Sequence, residues 1–464
     1  MLKTKVPELA QLHPSIQCAV QEIPVSDRYV VALSGGLDSI SLFSCALPHL
    51  LKIYRPVIQI LHVHHGLSPL ADDWAKHCLA VSEAQGFACH VEYVKVTETG
   101  KGLEAAAREA RYAVFERYLK AGGVLLQGHH QDDQTETVLM RLLRGAGPEG
   151  LSGMPRQRDL ANGQLFRPWL EIPRILLEEN IRKNNVSWVE DESNKDQKFD
   201  RNFLRHEVLP LLKARWPNVL DSVSRAAVRS GQAHQQLLLW CEGQLSGLMS
   251  RLYAADQALD LKALSLYSGE QQRFLVRHWL DGLKVEHPSE KIFERIWSEM
   301  IPAERDAMPA LRWGKNHLRR FNGCLFYLND LAVSDDVYSY HVLTNVNDSR
   351  QAFSIGGREL NLSIKRMPQR MLNAVLIRAP KPDEAVTIRS RRGGESLVLP
   401  GSAQNKSLKK LLQAKKVAPW RRLHLPLIYY GDILALVILS PTESLVAEGF
   451  QADDADSALA VNWN

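Results

Sequence analysis

The sequence predicts an α/β protein, a doubly wound parallel sheet followed by a helical middle domain and a small strand-rich C-terminal domain. Three observations carry this. Short Val/Ile/Leu runs alternate with amphipathic segments from residue 29 to about residue 143, the helical period dominates from 218 to about 300, and a period of two returns in places beyond 354. At 464 residues and 45% apolar content the chain is long enough for about three domains with real cores.

The elements follow in order. Residues 28–33 read as a buried strand and 38–51 as a helix, with further strands near 57–63, 88–94 and 124–128 and a helix over 133–143. Ligands of such sheets sit beyond the carboxyl ends of the strands. Three polar clusters fall there, at 34–39, 62–66 and 128–133, and their convergence would build one site. Residues 232–248 and 270–283 carry apolar positions at helical spacing, and 311–328 look like strands. A stretch rich in Asp, Ser and Asn marks a linker. The expected division is a catalytic domain at 1–217, a helical domain at 218–331, the linker at 332–353 and a basic terminal domain at 354–464.

No stretch approaches the roughly 20 apolar residues needed to span a bilayer, and the first 21 residues lack a signal-peptide plan. A cytoplasmic protein without membrane association is expected. The six cysteines lie far apart and form no CxxC pair, as expected of reduced core residues. Net charge is +5. Its distribution matters more: between residues 365 and 422, 15 Lys and Arg face only Asp383, Glu384 and Glu395. Such a surface suits a phosphate backbone, although a solvated basic face would look the same.

Ser34-Gly35-Gly36-Leu37-Asp38-Ser39 joins the first strand to its helix. Gly35 and Gly36 let the backbone curl round an anion, while the serine hydroxyls and the positive end of the helix dipole complement phosphate. Asp38 would repel phosphate unless a cation stood between them, which points to magnesium. An ordinary turn with a helix cap would use the same residue types. The run lacks the Gly-Lys-Ser/Thr ending that reaches β and γ phosphates, so transfer of the terminal phosphoryl group is not the natural inference.

Gly128-His129-His130-Gln131-Asp132-Asp133-Gln134-Thr135-Glu136 follows the fourth strand. Asp132 and Asp133 would serve as caps in any helix, but at a strand's carboxyl end they favour a site. There Asp133 would orient a metal or accept a proton from an attacking amine, and His129 would donate to a phosphate oxygen. His62 and His64 project from one face of the second strand. With no third and fourth ligand at zinc spacing, they are expected to line the nucleotide site. Residues 145–150 match GxGxxG formally, but they follow a helix and include a proline, as in a helix-ending loop. Arg108 and Arg111 share one side of an alanine-rich helix. Arg201 and Arg205, one turn apart, would reach phosphates or a carboxylate, with pairing to Asp191 or Asp200 as the structural alternative.

The loop at 34–39 resembles that of the PP-loop ATP pyrophosphatases, which implies cleavage of ATP between its α and β phosphates and an adenine nucleotide alpha hydrolase-like fold. The order of motifs narrows the resemblance. Residues 34–39, 62–67, 103–112, 128–137 with Leu142-Leu143-Arg144-Gly145, and 191–205 are arranged as in the tRNA(Ile)-lysidine synthetases. Lys406-Ser407-Leu408-Lys409-Lys410, Ala418-Pro419-Trp420-Arg421-Arg422 and Leu425-Pro426-Leu427-Ile428 resemble that family's C-terminal domain.

What the resemblance implies is ATP-dependent ligation of free L-lysine to C2 of the wobble cytidine of tRNA(Ile) bearing a CAU anticodon. An O-adenylated cytidine is the intermediate, and AMP and pyrophosphate are released. A homodimer is implied by family analogy only. The roles expected on this footing are catalysis by Asp38, Asp133 and His129, with Mg2+ on Asp38 and Asp133. ATP would be bound by Ser34, Gly35, Gly36, Leu37, Asp38, Ser39, His62 and His64. Substrate contacts would come from Asp132, Glu136, Arg108, Arg111, Arg201 and Arg205, and tRNA contacts from Lys406, Lys409, Lys410, Arg421 and Arg422. Two alternatives differ in chemistry. A PP-loop tRNA thiolase needs a sulfur-carrying cysteine, and none of the six sits in a recognisable pair. A non-catalytic tRNA-binding module would release neither AMP nor pyrophosphate.

Overall fold

The computed structural model describes residues 12–463 apart from 55, 98–101, 185, 191, 193–195, 252, 254–255, 305–306, 330–337, 343–350, 356–357, 367–374, 382–383, 403, 441–442 and 453–456. Two compact units are present, Met1–Leu238 and Leu239–Asn464. Asp191 and most of the expected linker lie outside the described residues.

In the first unit α1 (Pro14–Gln21) precedes β1 (Arg28–Ala32), α2 (Leu37–Tyr54), β2 (Val57–His64), α3 (Ala71–Ala84), β3 (Cys89–Tyr93), α4 (Leu103–Tyr118) and β4 (Val124–Leu126). After these come α5 (Gln131–Leu143), α6 (Pro148–Leu151), β5 (Gln157–Leu160), β6 (Gly163–Phe166), α7 (Arg174–Lys183), α8 (Asp200–Phe203), a π-helical turn (Leu204–Val208), α9 (Leu209–Arg215) and α10 (Val219–Leu248). The sheet order is β3-β2-β1-β4-β6-β5. β1 to β4 and β6 run parallel, and β5 closes the edge antiparallel to β6.

Alternation along the strands buries both faces. Val31, Leu33 and Leu126 pack with Ile16, Phe43 and Leu177 on one side, while Val30 and Leu125 pack with Val114 and Phe115 on the other. β2 and β3 lie to one side of β1, and β4 and β6 lie to the other. The order therefore reverses between β1 and β4, where a doubly wound sheet opens a crevice at its carboxyl edge.

The second unit holds the end of α10, β7 (Leu259–Asp260), α11 (Leu261–Leu264), α12 (Gly269–Gly282), α13 (Glu290–Arg295), β8 (Ala310–Trp313), β9 (Asn316–Phe321) and β10 (Cys324–Asn329). β7 to β10 form an antiparallel sheet in the order β7-β10-β9-β8. Then follow β11 (Ser339–Val342), β12 (Gln351–Ile355), β13 (Arg358–Arg366), β14 (Val375–Arg378), β15 (Val386–Arg389), β16 (Ser396–Val398), β17 (Asn405–Ser407), α14 (Leu408–Ala414), β18 (Leu427–Tyr430), β19 (Ile433–Ser440), β20 (Glu443–Val446) and β21 (Ser457–Trp463). Two antiparallel sheets, β11-β15-β18-β19-β20 and β12-β13-β21-β14, share a core that includes Leu362, Ile388, Leu436 and Leu459. Among the described residues no helix is long and apolar enough to cross a membrane.

Candidate active site

The glycine loop turns from β1 into α2 with Gly35 at φ +90°, a conformation that L side chains rarely adopt. A Cβ there would also stand 3.0 Å from Val189 Cγ2. Ser39 Oγ sits inside the curl. It donates to Gly36 O at 3.0 Å and takes the Ser34 amide at 3.1 Å, the Gly35 amide at 3.2 Å and the Ser34 hydroxyl at 3.0 Å. A hydroxyl oxygen has two lone pairs, so three donors compete for them, and the loop carries more donor capacity than it satisfies internally. An anion would use that surplus.

Across the β1/β4 switch point, Gly128 lets the end of β4 press on the start of α2. A Cβ on Gly128 would lie 2.6 Å from Asp38 O. This approach brings Asp38 and the start of α5 to one histidine. His130 Nε2 is 3.5 Å from Asp38 Oδ1 and 3.4 Å from Asp133 Oδ2, and its Nδ1 is 3.8 Å from Asp132 Oδ2. His130 also caps α5 reciprocally with Asp133: its Nδ1 accepts from the Asp133 amide at 3.3 Å, and its own amide donates to Asp133 Oδ2 at 3.2 Å. Burial opposes a charge on this imidazole, but the carboxylates of Asp133, Asp38 and Asp132 hold its pKa above the ordinary value.

His129, one residue earlier, behaves in the opposite way. Burial drives its pKa down to about 3, with Asp133 opposing and the Arg167, Arg201 and Arg108 charges assisting. Its Nδ1 accepts a hydrogen bond from Arg167 Nε at 3.2 Å, so the ring is a neutral imidazole with its proton on Nε2. Arg167 follows β6 and is 2% exposed.

The carboxylates of α5 are held by cations. Glu136 is fully buried and receives Arg201 Nε at 2.7 Å and Arg205 Nε at 2.6 Å, and Arg205 Nη2 adds a bond at 2.9 Å. Asp133 Oδ1 takes Arg201 at 3.3 Å and Arg205 at 2.9 Å. Burial would raise the Asp133 pKa, but His130, Arg201, His129 and Arg205 together hold it below the ordinary carboxylate range. Arg201 lies on α8 and Arg205 in the π-helical turn, and both guanidinium groups reach the same two acids. Asp132 accepts Lys213 Nζ at 2.6 Å and the Arg174 amide at 2.9 Å.

The structure thus brings Asp38, His129, Asp132, Asp133, Glu136, Arg201 and Arg205 together beside the loop of Ser34, Gly35, Gly36, Leu37 and Ser39. His62 stands at the edge of this set, its Nδ1 donating to Leu33 O at 2.8 Å. Burial lowers its pKa. His64 turns to Asp72, 3.0 Å away. Arg111 is placed near His65, whose pKa burial and the Arg111 charge bring down to about 4. Arg108 stacks on Tyr112. Sequence reasoning missed Arg167, Arg174 and Lys213. The only signal for Arg167 was a basic residue after a short apolar run, in a hairpin that the pattern did not reveal.

Asp38 Oδ1 is buried and makes no hydrogen bond of good geometry, and its other cationic neighbour, Arg174 Nε, is 3.7 Å away. Such an oxygen suits a hard cation. Among the described residues no three His, Cys, Asp or Glu side chains group as a metal cage. An ion held here would fill its remaining positions with phosphate oxygens and water, as magnesium commonly does.

In the second unit Lys406, Lys409 and Lys410 are exposed on β17 and α14. Arg421 is used differently. It pairs with Asp256 at 2.8 Å, both side chains mostly buried, beside Trp420, which packs against Phe321 and Phe326. Arg422 Nε donates to Val417 O at 2.9 Å.

Comparison with known proteins gives three family matches: the PP-loop domain over residues 9–212, the TilS substrate binding domain over 259–326, and the TilS substrate C-terminal domain over 386–463. The chain is similar to the tRNA(Ile)-lysidine synthase of Coxiella burnetii, with 36% identity over 428 residues covering 92% of this chain and 91% of that one. The Enterobacter sp. enzyme of the same name is 36% identical over 437 residues, covering 92% and 96%. That of Hamiltonella defensa is 34% identical over 464 residues, covering 97% and 98%.

Proposed function

The chain belongs to the tRNA(Ile)-lysidine synthases, ligases that form lysidine on tRNA(Ile) with ATP, and from that premise we propose how its crevice performs the reaction. The observation that carries the proposal is the meeting of the glycine loop and the Gly128–Asp133 segment at the β1/β4 switch point. ATP lies across that edge. The surplus donors of Ser34, Gly35, Gly36 and Ser39 receive the β and γ phosphates, which leave together as pyrophosphate. The start of α2 adds its dipole.

Asp38, with Asp133 close by, would hold magnesium, which would supply charge neutralisation for the phosphates. His129, neutral with Nε2 protonated, donates to a phosphate oxygen. The C2 carbonyl oxygen of the wobble cytidine, in the CAU anticodon of tRNA(Ile), attacks the α phosphorus. A bond forms from O2 to phosphorus, the bond to the bridging oxygen breaks, and pyrophosphate departs. The ε-amine of L-lysine then attacks C2 and AMP leaves with the original oxygen. The amine loses a proton to solvent in this step, and the Asp133 carboxylate, kept ionised by its cationic neighbours, orients it. Glu136 with Arg201 and Arg205 fixes Asp133 and presents mixed charge suited to the zwitterionic lysine. Exposed Lys406, Lys409 and Lys410 meet tRNA phosphates. A protein acting on tRNA in this way works in the cytoplasm.

The test incubates the protein with ATP, magnesium, radiolabelled lysine and unmodified isoleucine or methionine tRNA bearing CAU anticodons. Acid-precipitable label on the isoleucine transcript alone, stable to mild alkali that strips aminoacyl esters, is the expected result. AMP release without label would reopen the substrate.

A further inference from the structure

Three guanidinium groups meet at one tyrosine with no carboxylate of the described residues among them. Arg108 Cζ and Arg158 Cζ lie 5.0 and 5.2 Å from the Tyr112 ring centroid. The Tyr112 hydroxyl takes hydrogen bonds from Arg108 at 3.4 Å and Arg167 at 3.5 Å and donates to Gln127 Oε1 at 3.3 Å. The other bonds of Arg167 go to His129 Nδ1 and Pro155 O. Among the described residues every partner of this trio is neutral. Elsewhere in the same unit Arg117, Arg156, Arg182, Arg201 and Arg205 each meet a carboxylate within 3.5 Å.

The trio also stands at the ligand edge of the sheet. Gln127 follows β4, Arg167 follows β6, and β5 is antiparallel to β6 with Gln157 paired to Phe166, so Arg158, second in β5, lies near that same edge. Concentrated positive charge is felt within the cluster. Burial, then Arg158 and Arg108, bring Arg167 down to about 10, and the three arginines pull the Tyr112 phenol below its usual value against the effect of burial.

We propose that Arg108, Arg158 and Arg167 form an anion site for a phosphate group, beside His129 and separate from the glycine loop. Guanidinium forks match phosphate oxygens, and a phosphate there would supply the negative charge that the described residues do not bring to the cluster. The inference rests on the proposed function for the source of that phosphate, which is either the pyrophosphate released from ATP or a phosphodiester of the bound tRNA.

The test uses the full chain with Arg158→Gln, on an edge strand, and Arg167→Lys, which keeps the charge but loses the fork. Circular dichroism and Tm verify that each folds. Two bindings are measured: inorganic pyrophosphate by calorimetry, and unmodified tRNA(Ile) across a salt series. The site predicts about a tenfold loss in one of them. A loss in pyrophosphate binding identifies the product as ligand. A loss in tRNA binding, with a salt slope smaller by about 1 for Arg158→Gln, identifies the backbone. If neither binding changes in either variant, there is no phosphate site. Neither binding depends on turnover, so a wild-type protein that binds both ligands but makes no lysidine would overturn the proposed reaction and leave this site standing.

Discussion

In the crevice of the first unit, Glu136 is fully buried and Asp133 is 13% exposed, and two arginines bind both; on α14 of the second unit, Lys409 and Lys410 stand in solvent. The same formal charges do different work. In the crevice the charges are fixed, because an unpaired charge there would cost several kcal/mol, so the groups hold one geometry. On α14 the lysines cost nothing to leave alone, and they act by attraction at a distance. Arg421 shows that sequence proximity does not decide between the two. It lies in the same basic run as the exposed lysines, yet it is buried against Asp256.

The largest effects are expected in the crevice. Glu136→Ala leaves two buried guanidinium groups sharing the single carboxylate of Asp133 and should cost about 3 kcal/mol in urea unfolding, with loss of turnover. A stability change under 1 kcal/mol would mean that Arg201 and Arg205 find other partners. Trp420→Ala, in the second unit, should cost about 3 kcal/mol by emptying the aromatic cluster with Phe321 and Phe326. Next comes the Arg421 pair. Arg421→Gln and Asp256→Asn should destabilise alike, and the double variant should cost less than their sum. A tRNA salt slope reduced by Arg421→Gln alone would return that residue to the RNA-binding face.

Adjacent histidines sharpen the contrast within the crevice. His129 takes a proton near pH 3 when folded and near 6.5 when unfolded, so the unfolded chain binds more protons in between. Stability should fall as pH drops through that window, by up to about 1.4 kcal/mol per pH unit, and His129→Asn should remove that component. His130 has its pKa raised, so its contribution is full below the unfolded value and is lost as pH rises through the folded one. His130→Asn, which keeps a capping acceptor, should flatten the alkaline side instead. Smallest in stability is the double change Lys409→Gln with Lys410→Gln. It should leave unfolding within about 0.5 kcal/mol and lower the tRNA salt slope by about 2.

Much of this arrangement was legible in the sequence, because strands β1 and β4 are apolar runs buried on both faces and polar clusters end β1, β2 and β4. Asp38, Asp133, Glu136, Arg201 and Arg205 were named from motifs, but their mutual pairing was not, since 65 residues separate Glu136 from Arg201 in the chain. The β5–β6 hairpin escaped notice because the edge strand Gln157-Arg158-Asp159 is polar throughout and shows no apolar alternation. With it went Arg167, whose significance depends on His129 and Tyr112 arriving from two other elements. Composition revealed the excess of positive charge in the terminal domain. It could not distinguish Lys409, which faces water, from Arg421, which is sequestered by an acid from the middle of the chain.

The claim that the β1/β4 crevice is where ATP is opened rests most directly on Asp38. The decisive measurement is pyrophosphate release at saturating isoleucine tRNA and lysine by wild type and Asp38→Asn, alongside tRNA binding by both. Loss of release on the order of a hundredfold or more with binding intact is the predicted result. Release within a few-fold of wild type would place the chemistry elsewhere in the molecule.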